Sequence, residues 1–290
     1  MTVYLNGKFL PIEEAYVPVL DRGFIFGDGV YEVIPVYSQR AFRLKEHLKR
    51  LQSSLDGIRL PNPHTVDEWS ALVEELIARH ADEDQYLYLH ITRGVAKRDH
   101  AFPQPPVQPT VFMMSSPLLQ PAAELLNTGV SAVTALDNRW LRCDIKAISL
   151  LPNVLLRQQA VDAGCAESIL IREDSDTSES FMTEGAASNI FLVKNGTLFA
   201  PPKNNLMLPG ITYDVVLEIA EANHIPCQVR KITKAEVFDA DELLLTSSTK
   251  EVMPITRLNG KPVGNGKPGA MFARMHNLYQ EFKREVMRQP

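Results

Sequence analysis

Leu44, Leu48, Leu51 and Leu55 recur at the three- and four-residue spacing that gathers side chains on one helical face, and they predict a helix over Leu44–Leu55. Trp69, Leu72, Val73, Leu76 and Ile77 share a face in the same way and predict a second helix over Val66–Ala81. The period then changes. Tyr86, Tyr88 and His90 alternate through Gln85–Thr92, the signature of a strand with its aromatic residues on one side. β-Branched and aromatic residues between Gly, Pro and Asn predict further strands over Met1–Leu10 and Gly29–Tyr37, and Thr110–Met114 closes this half of the chain. Ser115–Pro121 holds two prolines and no period and reads as a linker.

Beyond it, strands are predicted at Gly129–Leu136, Glu167–Arg172, Asn189–Lys194 and Thr197–Ala200, with a buried strand at Glu242–Thr246. Helices are predicted over Leu150–Ala163 and over Thr212–Asn223, where Val215, Val216, Ile219 and Ala220 make the apolar side. The polar run Glu173–Ser180 predicts a flexible loop. There is no internal repeat and no low-complexity tract. Helices and strands mix in each half, so the class is α+β. The expected division is a small N-terminal α/β domain over 1–117, a linker at 118–122 and a larger mixed domain over 123–290.

The length of 290 residues and the 45% hydrophobic content suit two cores rather than one. Thirty Lys and Arg against 35 Asp and Glu leave a net charge of −5, and the basic residues are scattered, which argues against a nucleic-acid partner. Met1–Leu10 lacks a cationic start with an apolar run behind it, and no apolar stretch approaches the ~20 residues of a membrane span. A soluble, cytoplasmic protein is expected, with no membrane contact. Cys143, Cys165 and Cys227 follow no metal-binding spacing, so reduced structural thiols and no metal are expected.

Arg139-Trp-Leu-Arg-Cys-Asp-Ile-Lys146 ends on a lysine just before a predicted helix. A lysine that reacts as a free amine is kept partly desolvated or near other cations, and Arg139 and Arg142 are candidate neighbours. A solvated surface charge is the commoner fate of a lysine. Glu184, before the small-residue turn Gly185–Ser188, has the chemistry to hold a heterocyclic nitrogen protonated, or simply to accept backbone hydrogen bonds in the turn. Ile211 and Thr212 open a predicted helix, where backbone amides receive anions. Thr246-Ser-Ser-Thr249 offers hydroxyls at a strand end. A plain N-cap and a plain turn are the simpler readings of those two segments. In the first half, Tyr31 has a hydroxyl for an anionic substrate, and Arg98 and His100 are spaced to clamp a carboxylate. A polar loop also explains that pair, and a solvated helix charge explains Arg50.

Taken in order, Asp21-Arg-Gly-x-x-Phe-Gly-Asp-Gly-Val-Tyr-Glu32, Thr92-Arg-Gly94, Arg98-x-His100, the segment ending in Lys146, Thr183-Glu-Gly185, Leu208-x-Gly-Ile-Thr212 and Thr246–Thr249 resemble the fold-type IV, branched-chain-aminotransferase-like enzymes. The resemblance runs from Tyr4 to about Pro254 and is strongest to the members that act on D-amino acids. It implies a two-domain fold with the site between the domains and pyridoxal 5'-phosphate as cofactor, carried on Lys146 as a Schiff base. It implies that Glu184 pairs with the pyridine nitrogen, that Arg50, Ile211, Thr212, Ser247 and Ser248 hold the phosphate, and that Leu208 packs on the ring. Tyr31, Arg98 and His100 would bind the substrate carboxylate, the last two reaching across a homodimer. The implied reaction is ping-pong transamination between a D-amino acid, D-alanine for instance, and a 2-oxo acid such as 2-oxoglutarate. An L-branched-chain aminotransferase, an aminodeoxychorismate lyase and a non-catalytic pyridoxal-phosphate-binding protein are the alternatives. The chain departs from the D-specific pattern in Ala186 and Ala187, where serines are usual, in a longer Glu173–Ser180 loop, and in Pro35 and Pro209.

Overall fold

In a computed structural model that describes residues 1–174 and 179–288, the chain divides into two compact units. The first comprises Met1–Leu119 and Ile145–Leu150, and the second comprises Gln120–Asp144 and Leu151–Pro290. The expected division into two contiguous stretches is therefore corrected at one place: the segment that carries Lys146 belongs to the first unit.

The first unit contains β1 (Thr2–Leu5), β2 (Lys8–Pro11), α1 (Arg22–Phe26), β3 (Gly29–Tyr37), β4 (Arg40–Ala41), α2 (Leu44–Gly57), α3 (Val66–Ala78), β5 (Gln85–Thr92) and β6 (Thr110–Pro117). Its strands form one six-stranded sheet in the order β2-β1-β6-β5-β3-β4. The helical faces read from the sequence are the ones that are buried: Leu48, Leu51 and Leu55 of α2 and Trp69, Val73 and Leu76 of α3 pack on Ile34, Leu87, Leu89 and Met113 of the sheet. Thr65 and Glu68 fix the start of α3 by a reciprocal capping box. Pro35 is tolerated inside β3 because its carbonyl accepts from Phe42 N–H on the edge side. Its missing N–H would face that same side, so no bond to β5 is lost. The residues expected as the start of a linker, Ser115–Pro117, instead continue β6 beside β5. There the buried Ser115 hydroxyl donates to Gln85 Oε1 at 2.5 Å, which satisfies a polar residue inside the sheet.

The second unit contains α4 (Ala123–Thr128), β7 (Val130–Leu136), α5 (Leu151–Asp162), β8 (Glu167–Glu173), β9 (Ser180–Gly185), β10 (Asn189–Lys194), β11 (Thr197–Ala200) and α6 (Ile211–Ala222). It continues with β12 (Cys227–Val229), β13 (Ile232–Thr233), α7 (Lys234–Phe238), β14 (Glu242–Ser247), β15 (Glu251–Leu258), β16 (Lys261–Pro262) and α8 (Ala270–Phe282). Among the described residues these strands form a ten-stranded sheet, β12-β11-β10-β14-β15-β7-β8-β9-β13, with β16 beside β15. The central strands are apolar on both faces, as strands covered on both sides must be. Residues 175–178 of the expected flexible loop lie outside the described residues.

Helix α8 was not expected, although Met271, Phe272, Met275 and Tyr279 are its buried side. Its cap comes from far along the chain, because the Glu242 carboxylate accepts from the Met271 and Phe272 amides, both at 2.8 Å. Lys283 follows α8 and donates to the buried Glu251 carboxylate at 2.5 Å, and Gln280 donates to the other oxygen at 2.6 Å. Glu251 takes a left-handed φ of 56° immediately after the Thr246–Lys250 turn, so this ion pair fixes the backbone where the turn re-enters the sheet. No helix among the described residues is long and apolar enough to cross a membrane. Lys283→Met leaves the Glu251 carboxylate buried without its cation. It is expected to destabilise the protein by about 3–5 kcal/mol in urea denaturation, and a loss under about 1 kcal/mol would show that the pair does not hold the turn.

Candidate active site

In the first unit, the backbone on either side of Lys146 is tied down. Tyr31 N–H donates to Lys146 O at 3.0 Å, Ile148 N–H donates to Gly29 O at 3.1 Å, and Lys146 N–H donates to Ser54 Oγ at 3.1 Å. Gly29 is required here, because a Cβ at that position would collide with Ile91 O and Ile148 Cδ1. The Lys146 side chain is half-buried, with Nζ 4.2 Å from the centroid of the Tyr31 ring, a cation over an aromatic face. Tyr31 in turn leans on Tyr88, whose hydroxyl lies 2.8 Å from His90 Nδ1. Burial pushes the Tyr88 phenol up to about 12, so it stays protonated.

Next in β3 is Glu32, fully buried, with its carboxylate gripped by Arg50 through Nε at 2.8 Å and Nη2 at 2.7 Å and by His47 Nδ1 at 2.8 Å. Burial works to raise the Glu32 carboxyl, but the Arg50 charge and hydrogen bonds, with His47 added, outweigh it and hold the group well below the usual carboxylate range. For His47, burial lowers the imidazole against the pull of Glu32, and the Arg50 and Lys146 charges push in the same direction as burial. His47 is therefore neutral. Sequence reading singled out Arg50 and missed its partner Glu32, 18 residues away on a different element. Arg98 and His100 are exposed on the loop after β5, and both approach the Phe26 ring of α1, Arg98 Cζ at 5.5 Å and the His100 ring at 5.3 Å.

In the second unit, Glu184 lies near the end of β9 with its carboxylate among donors. Arg139 Nη1 donates to Oε1 at 2.6 Å, Asn189 Nδ2 donates to Oε2 at 3.1 Å, and the Leu208 amide reaches both oxygens at 3.2 Å. Arg139 also grips Asp137 through Nε at 2.9 Å and Nη2 at 3.0 Å, while Arg142 pairs with Asp144 at the surface. Both arginines expected beside the lysine are thus committed to carboxylates of the second unit. Burial raises the Glu184 carboxyl, against the Arg139 charge and the Leu208 amide, to about 7.

Asn189 also donates to Leu208 O at 3.1 Å and stands opposite Thr246 in the β10–β14 ladder. It thereby links Glu184 to the two elements expected to receive an anion. One is the start of α6, where Gly210 supplies no side-chain cap and Ile211 and Thr212 are buried. The other is the Thr246–Thr249 turn. The Thr246 hydroxyl is buried without a hydrogen-bond partner among the described residues, and Ser247 Oγ accepts from Lys250 N–H at 3.1 Å. Ala186 is buried against Ala135, Leu156 and Leu170, with its amide donating to Glu167 and to Ser168 O; Ala187 is exposed. Among the described residues no group of His, Cys, Asp and Glu is placed to hold a metal.

The family model for amino-transferase class IV matches residues 29–258. The chain is 39% identical over 280 residues to a D-alanine aminotransferase of Staphylococcus epidermidis, covering 97% of each chain. It is also 39% identical to a D-alanine aminotransferase of Bacillus licheniformis, over 97% of this chain and 96% of that one. Among solved structures it is similar to the branched-chain amino acid aminotransferase of Thermoproteus uzoniensis with norvaline. That likeness has a TM-score of 0.85 and 27% identity, and covers 99% of this chain and 97% of the other. With four-fifths of its length inside the family match and full-length relatives above a third identity, the chain belongs to the class IV aminotransferases.

Proposed function

We propose that this enzyme moves an amino group between a D-amino acid, D-alanine in the first instance, and a 2-oxo acid such as 2-oxoglutarate, with pyridoxal 5'-phosphate held by Lys146. The observation that carries the D-amino-acid reading is the convergence of Arg98 and His100 on one aromatic ring. Two nitrogen-bearing side chains brought to one place from one loop can act together on a carboxylate. The likeness to D-alanine aminotransferases along nearly the whole chain supports the same substrate class.

The donors fit the cofactor. A buried carboxyl near neutrality suits a pyridine nitrogen, and an uncapped helix start with an unpartnered buried hydroxyl suits a phosphate dianion. Ile211, Thr212, Ser247, Ser248 and Arg50 would hold the phosphate, Leu208 would cover the ring, and Glu184 would hold the ring nitrogen. Pyridoxal phosphate supplies an aldehyde that condenses with amines and a ring that accepts the electron pair left on the α-carbon.

The chain's own work is proton transfer and orientation. Lys146 Nζ is the base that takes the α-proton and later returns it, and the bonds of its backbone to Tyr31 and Ser54, with Ile148 held on Gly29, fix the backbone from which the amine projects. Glu184, with a carboxyl near 7, holds or releases a proton at the ring nitrogen with little driving force either way. Tyr31, Arg98 and His100 fix the substrate carboxylate, which decides which face of the α-carbon meets Lys146. A homodimer, with Arg98 and His100 reaching the partner's site, and a cytoplasmic setting that keeps the three cysteines as thiols complete the reading.

Two measurements test this. Incubated with 2-oxoglutarate, the enzyme is expected to convert D-alanine to pyruvate and D-glutamate, while Lys146→Ala lowers turnover by at least ~10²-fold. Turnover of L-leucine as fast as D-alanine would sink the D-amino-acid assignment. The second concerns Glu184 in the cofactor-free protein. An acid whose folded value of about 7 lies above its ordinary 4.5 binds more protons folded than unfolded between those limits, so its contribution to stability falls as pH rises through that window. Relative to Glu184→Gln, the wild type is expected to lose up to about 3 kcal/mol of unfolding free energy between pH 4.5 and 7.5. A difference that stays flat with pH would show that Glu184 titrates normally.

A further inference from the structure

The loop that carries Arg98 and His100 has no strand partner across Ala96–Gln108, and residues 97–100 are exposed. Three consecutive carbonyls in it nonetheless have donors, and all the donors belong to one buried side chain. Arg22, 3% exposed at the start of α1, donates from Nη1 to Asp99 O at 2.6 Å and to Ala101 O at 3.2 Å, and from Nη2 to His100 O at 3.4 Å. Its remaining edge is fixed, with Nε donating to Asp28 Oδ2 at 2.8 Å. Asp28 is fixed in turn by Arg93, through Nε at 2.8 Å and Nη2 at 3.0 Å. Arg93 is anchored on Ile58 O at 2.7 Å and lies 3.8 Å over the ring of Phe102 in the same loop. Burial raises the Asp28 carboxyl, but the hydrogen bonds and charges of Arg93 and Arg22 outweigh it and keep it ionised. Phe26 completes the arrangement: Arg22 Cζ is 4.9 Å from the ring that Arg98 and His100 also approach.

From this geometry we propose that Arg22 is the positioning residue of the substrate-carboxylate clamp: its guanidinium, braced by Asp28, sets the backbone from which Arg98 and His100 project. The inference rests on the reading of Arg98 and His100 as carboxylate ligands. A planar fork is needed because its N–H groups diverge in fixed directions and so hold several carbonyls while Nε keeps the carboxylate. An ammonium group at the end of a flexible stem keeps the charge and loses that spread. Arg22 is buried and its guanidinium is engaged by the loop carbonyls and Asp28, so its role runs through the backbone. Its loss acts through the affinity for carboxylate-bearing substrates, not through the proton transfer at Lys146, because displacing a clamp by a fraction of an ångström weakens binding without moving the base.

The test uses the holoenzyme with Arg22→Lys, Arg22→Met and, as a reference, Arg98→Ala. The substrates are D-alanine and D-alaninol, which has the same amine and no carboxylate, followed in single turnover by loss of cofactor absorbance. Arg22→Lys is expected to raise the half-saturating concentration of D-alanine about tenfold, with the limiting rate within twofold of wild type and the D-alaninol reaction unchanged. Arg22→Met is expected to raise it further. Should the methionine variant fail to fold, the lysine variant, which keeps a cation against Asp28, still decides the matter. If Arg98→Ala weakens D-alanine binding and Arg22→Lys does not, the positioning role is wrong and the clamp stands. Equal losses with D-alanine and D-alaninol would reduce Arg22 to a structural residue and overturn the proposal. If Arg98→Ala itself leaves D-alanine binding unchanged, the clamp reading falls and takes this inference with it.

Discussion

The organising constraint of this molecule is that a carboxylate goes inside only where donors meet it: Asp21 and Glu167 are held by hydroxyls and backbone amides, and the acids nearest the proposed chemistry are met by a cation. Glu32 is met by Arg50, Asp28 by Arg22 and Arg93, Glu184 by Arg139, and Glu251 by Lys283. Removing two charges from water costs several kcal/mol per ion, and their attraction in the interior does little more than offset it, so such pairs are poor sources of net stability. What they do supply is geometry. Each joins different parts of the chain, and each lies at or next to a group with a proposed chemical role, namely Tyr31 beside Lys146, the clamp loop, the ring-nitrogen acid and the phosphate turn. Apolar packing of the same volume would hold the elements together without fixing a side chain to a few tenths of an ångström.

How much of this was legible in the sequence follows from the range of the forces involved. Strands β3, β5, β10 and β11 fall at the residues the alternation marks, and α2, α3, α5 and α6 begin and end within a few residues of their apolar periods, because both patterns are local. Where a boundary was set by a distant residue, the pattern fell short. Ser115–Pro117 stays in the sheet through Gln85, and α8 starts where Glu242 caps it. The return of Ile145–Leu150 to the first unit depends on Tyr31, Gly29 and Ser54, none of which is near it in the chain.

The site was legible in part for a different reason. Lys146 and Glu184 stood out through an ordered set of short motifs, not through any periodicity, and residue types alone did not separate them from ordinary surface charges. Their partners left no comparable trace. Nothing local in Glu32, His47 or Arg139 distinguishes a buried, paired group from a solvated one, and Arg22 sits inside a motif whose glycines attract attention first. A charge in a glycine-rich segment that opens a strand is the kind of signal that would have pointed to Arg22. Even so, its three carbonyl acceptors lie 77 to 79 residues away.

Glu32 and Glu184 show how one residue type is given two chemistries. Both are glutamates with almost no exposure, and both are bonded to an arginine, so burial alone predicts the same behaviour for each. The difference lies in how the arginine is shared. Arg50 presents both Nε and Nη2 to Glu32, and His47 adds a further hydrogen bond, which keeps the carboxylate ionised. Arg139 gives Nε and Nη2 to Asp137 and only Nη1 to Glu184, and the Asp137 charge raises Glu184 further. Glu184 receives part of a cation and all of the desolvation, and its carboxyl settles near 7. How many N–H groups its arginine presents to a buried acid is therefore what separates a fixed structural anion from a group able to exchange a proton at neutral pH, the property that a ring-nitrogen partner needs.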